Sequence, residues 1–445
     1  MKRVLVANRG EIAVRVVRAA HAAGMEAVAV YSDADAEASW VRMADRAAHL
    51  GKSAAAKSYL NADAVLRAAV STGADAVHPG YGFLSERPGF AEQVADAGLT
   101  FVGPPAPVIE KMGDKAAARR AAERAGVPVV PGSGPVADVD EAVDAAANVG
   151  YPVLVKASAG GGGRGIRPVS SAAELAEVLP AAKAEARSAF GDDTVYLERA
   201  LAGARHVEVQ VLADGHGTAL HTFERDCSVQ RRRQKLIEEA PAPALSTGVR
   251  ASVNEAAVRL AREVGYLGAG TVEFLLNPDG EFFFIEMNTR IQVEHPISEL
   301  VTGVDLVAEQ LRIAAGEPVS FPQSAVSPTG AAIELRINAE DPDDHFRPSP
   351  GRLERLDLPG GPGIRVDTGF VAGDRISPFY DSMIAKLICS GPDRAAALAR
   401  AGQALSELRI EGVPTTAPTH RRLLEHPDLR DGSVHTGWLE ELWSE

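Results

Sequence analysis

Cysteine is nearly absent from this 445-residue chain. Cys227 and Cys389 are too few for a disulfide framework and lack metal-ligand spacing, which fits a reducing compartment. No apolar run is long enough to cross a membrane, and the opening MKRVLVANRG has neither the apolar stretch nor the cleavage site of a signal peptide. A cytoplasmic protein without a membrane partner is expected. Basic excess is missing too: a formal net charge of -14 argues against broad binding to a nucleic-acid backbone. An anionic substrate must then be met by a local cationic pocket. The densest basic cluster is RDCSVQRRRQK, with Arg225, Arg231, Arg232, Arg233 and Lys235, which by default reads as a solvated face.

Two nucleotide signatures are also absent. The turn after the first strand holds one glycine, Gly10, so the G-x-G-x-x-G fingerprint of dinucleotide folds is missing. The only Gly-Lys-Ser, at 51-53, has Arg46 where the first glycine of a P-loop belongs. Internal repeats and low-complexity tracts do not occur.

What is present is an ordinary globular composition, 46% hydrophobic and 24% charged, in a chain long enough for about three domains of roughly 150 residues each. Residues 3-31 read as strand, helix, strand, a parallel βαβ start with Ile12, Val16 and Ala20 toward the core and Glu11, Arg15 and Arg18 on another side. A Gly/Pro break at FVGPPAPV and a Pro/Ser-rich SFPQSAVSPTG divide the chain into 1-103, 104-330 and 331-445. Within the middle part, TVYLERAL and RHVEVQVLAD read as strands, and GTVEFLLNPDGEFFFIEMN reads as a hairpin turning at Asn277-Pro278-Asp279-Gly280.

That hairpin continues as FFFIEMNTRIQVEH, where Glu286, Asn288, Arg290, Gln292 and Glu294 alternate along one face. An exposed face would explain alternation, but this one lacks the Lys, Thr and Ser that usually cover such a face. With Asn277 opposite Gly280, Glu273 is expected opposite Phe284 and diagonal to Glu286. Facing carboxylates repel unless a cation lies between them, and magnesium suits Glu273, Glu286 and Asn288. Five alternating residues in a straight strand span about 26 Å, so the chain must bend after Thr289 or its two ends serve different parts of one substrate.

The glycine run 160-163 lies between VLVK and a second strand-like run, where backbone N–H groups approach a phosphate closely; a tolerated turn is the alternative. Lys156, inside VLVK, and Lys115, in KMGDK, are the natural phosphate partners, because a charge within an apolar run is costly without an anion.

Taken together, HPGYGFLSE, KMGDK, KASAGGGGRG, RHVEVQVL, ERDCSVQRRRQK, EEAPAP, EMNTRIQVEHP, RINAEDP and PFYDSMIAKL closely resemble the biotin carboxylases, a family of ATP-grasp enzymes, over nearly the whole chain. The resemblance implies an α/β and α+β fold: a Rossmann-like N-terminal domain, an ATP-grasp domain with a glycine-loop lid at about 131-204, and a mixed α/β C-terminal domain. It implies ATP with two Mg²⁺ ions, Mn²⁺ being able to substitute, held by Glu273, Glu286 and Asn288. Lys115, Lys156, Gly162 and Gly163 would meet the phosphates, Glu198, Arg199 and Leu201 the adenine, and His206, Gln230 and Arg233 the ribose and phosphates. Arg290, Gln292, the Val293 backbone and Lys235 would hold bicarbonate. Glu294 would be its base, and Arg336, with Tyr81 nearby, would stabilise the biotin enolate.

By the same resemblance, bicarbonate attacks ATP to give carboxyphosphate, and biotin on a carrier protein is carboxylated, the first half-reaction of an acetyl-CoA or other acyl-CoA carboxylase. Arg233 stands where the family usually has His or Asn. Arg18 and Arg365 match a family dimer surface, whereas Ala22 and Pro362 replace a charged and an aromatic residue there, so a homodimer is left open. No Ala-Met-Lys-Met acceptor sequence occurs. Carrier and carboxyltransferase are then separate chains, or this chain is part of a longer one. Two other readings remain beside this one: another ATP-grasp ligase joining a carboxylate to an amine, and a non-catalytic nucleotide-binding scaffold.

Overall fold

The computed structural model describes residues 1-158, 165-243 and 245-443. Gly162 and Gly163, expected at the phosphates, lie outside the described residues. The chain opens with five parallel strands, β1 (Arg3–Val6), β2 (Glu26–Ser32), β3 (Arg46–Gly51), β4 (Ala76–His78) and β5 (Thr100–Phe101), in the order β3-β2-β1-β4-β5. Val4, Leu5 and Val6 form a continuous apolar run because both faces of this sheet are covered. Strand order reverses between β1 and β4, and in open parallel sheets ligands bind at the carboxyl ends of such a pair. There the chain places Asn8, Arg9, Gly10 and Glu11 after β1 and Gly80 and Tyr81 after β4, all lining one large cleft except Gly80. Asn8 ties the two turns by donating Nδ2 to the carbonyls of Pro79 and Tyr81, both at 2.7 Å.

Helix α1 (Gly10–Ala22) packs Ile12, Val16 and Ala20 into the N-terminal core, as its spacing predicts. Its other side is solvated only in part, at Arg18. Glu11 is buried against Lys386, and Arg15 reaches Glu299 at 2.8 Å, because the middle and C-terminal parts of the chain cover most of this face. The approach is so close that a Cβ on Gly369 would stand 2.6 Å from the Gly10 carbonyl carbon.

A second, four-stranded sheet comprises β6 (Gly132–Pro135), β7 (Val153–Ala157), β8 (Ile166–Val169) and β9 (Val195–Arg199) in the order β6-β9-β7-β8. It forms one wall of the cleft through Lys156, Tyr196 and Glu198. The opposite wall is an eight-stranded sheet. Its strands β10 (Arg205–Ala213), β11 (Ala219–Arg231), β12 (Gln234–Ala240), β13 (Gly268–Leu276) and β14 (Phe282–Asn288) continue through β15 (Ala331–Asn338) to β16 (Ile364–Thr368) and β17 (Met383–Gly391). The order is β14-β13-β10-β11-β12-β15-β17-β16. The sheet therefore runs without interruption past the Pro/Ser-rich break at 320-330.

On its back, Val207, Val209 and Val211 of β10 and Val272 and Phe274 of β13 share a core with helix α2 (Thr247–Glu263). Alternation then sends His206, Glu208 and Gln210 to the other face, where they too are buried. A strand whose polar face is buried must satisfy it internally.

Candidate active site

The hairpin turns at Asn277–Gly280, with the Gly280 amide donating to the Asn277 carbonyl at 3.0 Å. Its register differs from the simple expectation. Phe274 pairs with Phe284, and a β-bulge at Ile285 then brings Glu286 directly opposite Glu273 instead of diagonal to it. Glu273 also pairs with Glu208 of β10, and Glu208 with Arg225 of β11. Four charged residues, three of them acidic, thus stand side by side across four strands.

Cations answer that repulsion from within. Arg225 is fully buried and far from a solvated surface: it donates to Glu208 at 2.6 Å, Gln210 at 2.9 Å and Gln292 at 2.6 Å. His206 lies 3.1 Å from Glu273, and Lys235 lies 2.6 Å from Glu208. Burial alone would raise the Glu273 carboxyl, but Lys235 and His206 pull it well below the ordinary range. The same pairing lifts His206 against a burial effect that would lower it. Glu286 faces the open cleft, where the pull of His206 and Lys115 does not outweigh the opposing effects. Repulsion from Glu273, with partial enclosure, raises its carboxyl.

β14 ends at Asn288 and the chain bends through Thr289 and Arg290. Glu86, from the HPGYGFLSE segment, fixes this bend by accepting from the Thr289 amide at 3.1 Å and from Arg290 Nε at 2.8 Å. The bend folds the far end of the row back: Gln292 Nε2 and Asn288 Nδ2 both donate to the same Glu273 oxygen at 2.8 Å. Beyond it, Glu294 heads helix α3 (His295–Thr302) with its carboxylate buried between two cations, Lys235 at 2.5 Å and Arg336 at 3.0 Å. Burial pushes the Glu294 carboxyl up, and Lys235, Arg336 and Arg225 overcome it and hold it well below the usual carboxylate range. Arg336 also donates to Glu238 at 2.5 Å.

At the other end of the cleft, Lys156 meets Glu198 in an ion pair and lies 5.6 Å from the ring of Tyr196. The Lys115 ammonium is lowered, first by burial and then by neighbouring Lys156. Arg199 stacks over Phe283 at 5.5 Å. Arg232 and Arg233 form the two-residue turn between β11 and β12 and both hold positive φ, 46° and 67°. Such a turn favours Asn-Gly, so two arginines there carry backbone strain that a purely structural turn would avoid.

Every described residue that the sequence analysis gave a ligand or catalytic role lines this one cleft of about 1540 Å³: Tyr81, Lys115, Lys156, Glu198, Arg199, Leu201, His206, Gln230, Arg233, Lys235, Glu273, Glu286, Asn288, Arg290, Gln292, Val293, Glu294 and Arg336. Sequence reasoning gave no role to Glu86, Glu208, Arg225 or Glu238. For Glu208 the signal was available, since RHVEVQVL puts it on the same strand face as His206.

Comparison with known proteins agrees along the whole chain. Residues 1-109 match the family model "Biotin carboxylase, N-terminal domain", 114-321 the "Carbamoyl-phosphate synthase L chain, ATP binding domain" and 334-441 the "Biotin carboxylase C-terminal domain". A biotin carboxylase of Nostoc sp. is 51% identical over 441 residues, 99% of each chain. The biotin carboxylase of Haemophilus influenzae is 52% identical over 443 residues, 99% of this chain and 98% of its own. The solved biotin carboxylase domain dimer of Hydrogenobacter thermophilus 2-oxoglutarate carboxylase, in complex with MgADP, ADP and bicarbonate, superposes with a TM-score of 0.93 at 48% identity, covering 99% of this chain and 97% of that one. The chain belongs to the biotin carboxylase family of ATP-dependent ligases, and its reaction is the ATP-dependent carboxylation of biotin.

Proposed function

We propose that the cleft joins bicarbonate to the γ-phosphate of ATP at one end and delivers the resulting carboxyl group to biotin at the other. The observation that carries this reading is Glu294, a buried carboxylate held between Lys235 and Arg336. Lys235 and Arg290, with Gln292 and the Val293 backbone, are the residues for bicarbonate. An anion there draws the Lys235 ammonium toward itself, and Glu294, losing part of its cationic surroundings, rises toward the range of a working base. Deprotonated bicarbonate then attacks phosphorus and ADP leaves.

Lys115 and Lys156 supply charge for the phosphates, Glu198, Arg199 and Leu201 the adenine contacts, and His206, Gln230 and Arg233 the contacts nearer the ribose and phosphates. Glu273, Glu286 and Asn288 fit magnesium, because the Glu286 carboxyl is raised by a facing carboxylate and lies open to the cleft. Bound Mg²⁺ neutralises phosphate charge during transfer. Carboxyphosphate is labile to water, so an enclosed cleft protects it. It breaks to CO₂ and phosphate, phosphate takes the ureido proton of biotin, and the biotin enolate attacks CO₂. Arg336 faces the enolate oxygen with Tyr81 beside it.

The biotin would arrive on a carrier, with the carboxyltransferase as a further component and the final acyl or keto-acid acceptor chosen there. A homodimer through the α1 surface, where Arg18 is exposed, is part of the proposal. Steady-state ADP release with Mg-ATP and bicarbonate, with and without free biotin, tests the reading. Turnover should require bicarbonate and rise with biotin, and Arg336→Ala should abolish the rise. ADP release indifferent to both would overturn it in favour of another acceptor.

A further inference from the structure

Lys386 is the one fully buried lysine among the described residues, and none of the roles above uses it. It lies on β17, and its backbone pairs with Arg336 on one side and Asp367 on the other. Its ammonium leaves the sheet and meets groups from two distant parts of the chain. Nζ donates to the Val293 carbonyl at 2.8 Å and lies 3.0 Å from Glu11 Oε2, with Asp367 at 3.8 Å. Glu11, at the start of α1, accepts on its other oxygen from the Tyr81 hydroxyl.

One buried cation therefore touches the Val293–Glu294 peptide and, through Glu11, sets the Tyr81 hydroxyl. A stability role explains this poorly, because replacing buried ion clusters by apolar residues is often neutral or stabilising. A buried ammonium held in place by three partners, at a segment that must hold two facing groups in register, explains it better. Burial would lower the ammonium, but Glu11, Glu334 and Asp367 outweigh it, so the charge persists at neutral pH.

We propose that Lys386 is a positioning residue for carboxylation, fixing the Val293 carbonyl so that Gln292 and Glu294 address bicarbonate while Glu11 aims Tyr81 at biotin. The inference rests on the proposed function and adds a residue to it. Removing the ammonium alone would strand Glu11 as a buried charge, so the informative variant is Lys386→Met with Glu11→Gln, in which the amide oxygen still accepts from Tyr81.

The full chain is assayed for ADP release while bicarbonate and ATP are varied separately, and its thermal unfolding is compared with the wild type. The expected result is at least a tenfold fall in kcat/KM for bicarbonate, with KM for ATP within about twofold and cooperative unfolding retained. Parallel loss of both terms, or loss of neither, would overturn the positioning role and leave Lys386 a packing element. Wild-type protein lacking bicarbonate-dependent turnover would overturn the proposed function, and the inference with it.

Discussion

The two ends of the cleft solve the same electrostatic problem in opposite ways. Around Glu294 each strong charge already has a counter-charge: Lys235 is shared by Glu208 and Glu294, and Arg336 by Glu238 and Glu294. Around Glu286 the balance is looser: Lys156 pairs with Glu198, but the Glu286 carboxyl is raised by its neighbour and Lys115 is lowered by burial and by Lys156. The closed end is organised before ligand arrives, so a small anion there redistributes existing pairs. The open end reaches its lowest energy only when a cation and a polyanion enter together. On the proposed assignment, preorganisation suits the end where bonds to carbon would be made and broken, and ligand completion suits the end that would hold nucleotide.

The largest expected effect breaks the closed end. Glu294→Gln keeps the shape but removes the proposed base, replaces one of the two oxygens that accept from Lys235 and Arg336 with an N–H donor, and leaves both cations short of a counter-charge. Bicarbonate-dependent kcat should fall by about 10³, within the range of general-base losses, while nucleotide binding at the other end survives. Equilibrium ATP binding measured beside turnover checks this, and a variant that lost both would erase the distinction between the ends.

A smaller effect sharpens the open end, and its sign is opposite in two assays. Glu286→Gln removes a like charge directly across from Glu273, so the ligand-free protein should gain stability, by less than about 1 kcal/mol because the group faces solvent. Mg-ATP affinity should fall at least tenfold, about 1.4 kcal/mol. Thermal unfolding with and without Mg-ATP reads both. A variant destabilised in the free state would mean that Glu286 already has its counter-charge.

How far the sequence carried this reading varies by residue. Strand-face alternation grouped Glu286, Asn288, Arg290, Gln292 and Glu294, and length arithmetic left either a bend after Thr289 or two ends serving different parts of one substrate; the chain bends at Thr289 and Arg290. Alternation could not locate the bulge at Ile285, because one extra residue leaves the local pattern unchanged while shifting every pair beyond it. Arg225 was read with the surface arginines beside it, since a basic run looks alike whether its members face water or a buried carboxylate. Glu11 and Lys386 were illegible for another reason: they lie 375 positions apart, and only the close packing of Gly369 on Gly10 brings their elements together. Local pattern reports faces and periods, whereas charge pairing between domains is a property of the assembled fold.

The smallest effect concerns how the closed end tunes its own charge. Glu238 is fully buried beside Arg336, and burial pushes its carboxyl up to about 7 despite that partner, with Glu294 adding repulsion. A carboxyl raised in the folded state binds its proton where the unfolded chain has released it, so its contribution is complete below about pH 4.3 and fades as pH rises to about 7. Glu273 and Glu294 are depressed and behave oppositely, losing their contribution only as pH falls below the ordinary carboxylate range. Between pH 5 and 7.5 the two classes therefore separate. Glu238→Gln imitates the protonated form, so its stability relative to wild type should improve by on the order of 1 kcal/mol from pH 5 to pH 7.5. Denaturant unfolding of both proteins at the two pH values measures the difference. A constant difference would place the Glu238 carboxyl in the ordinary range, with Arg336 balanced by two full negative charges and little positive potential left for the biotin oxygen; a rising one would mean that a proton on Glu238 preserves that potential.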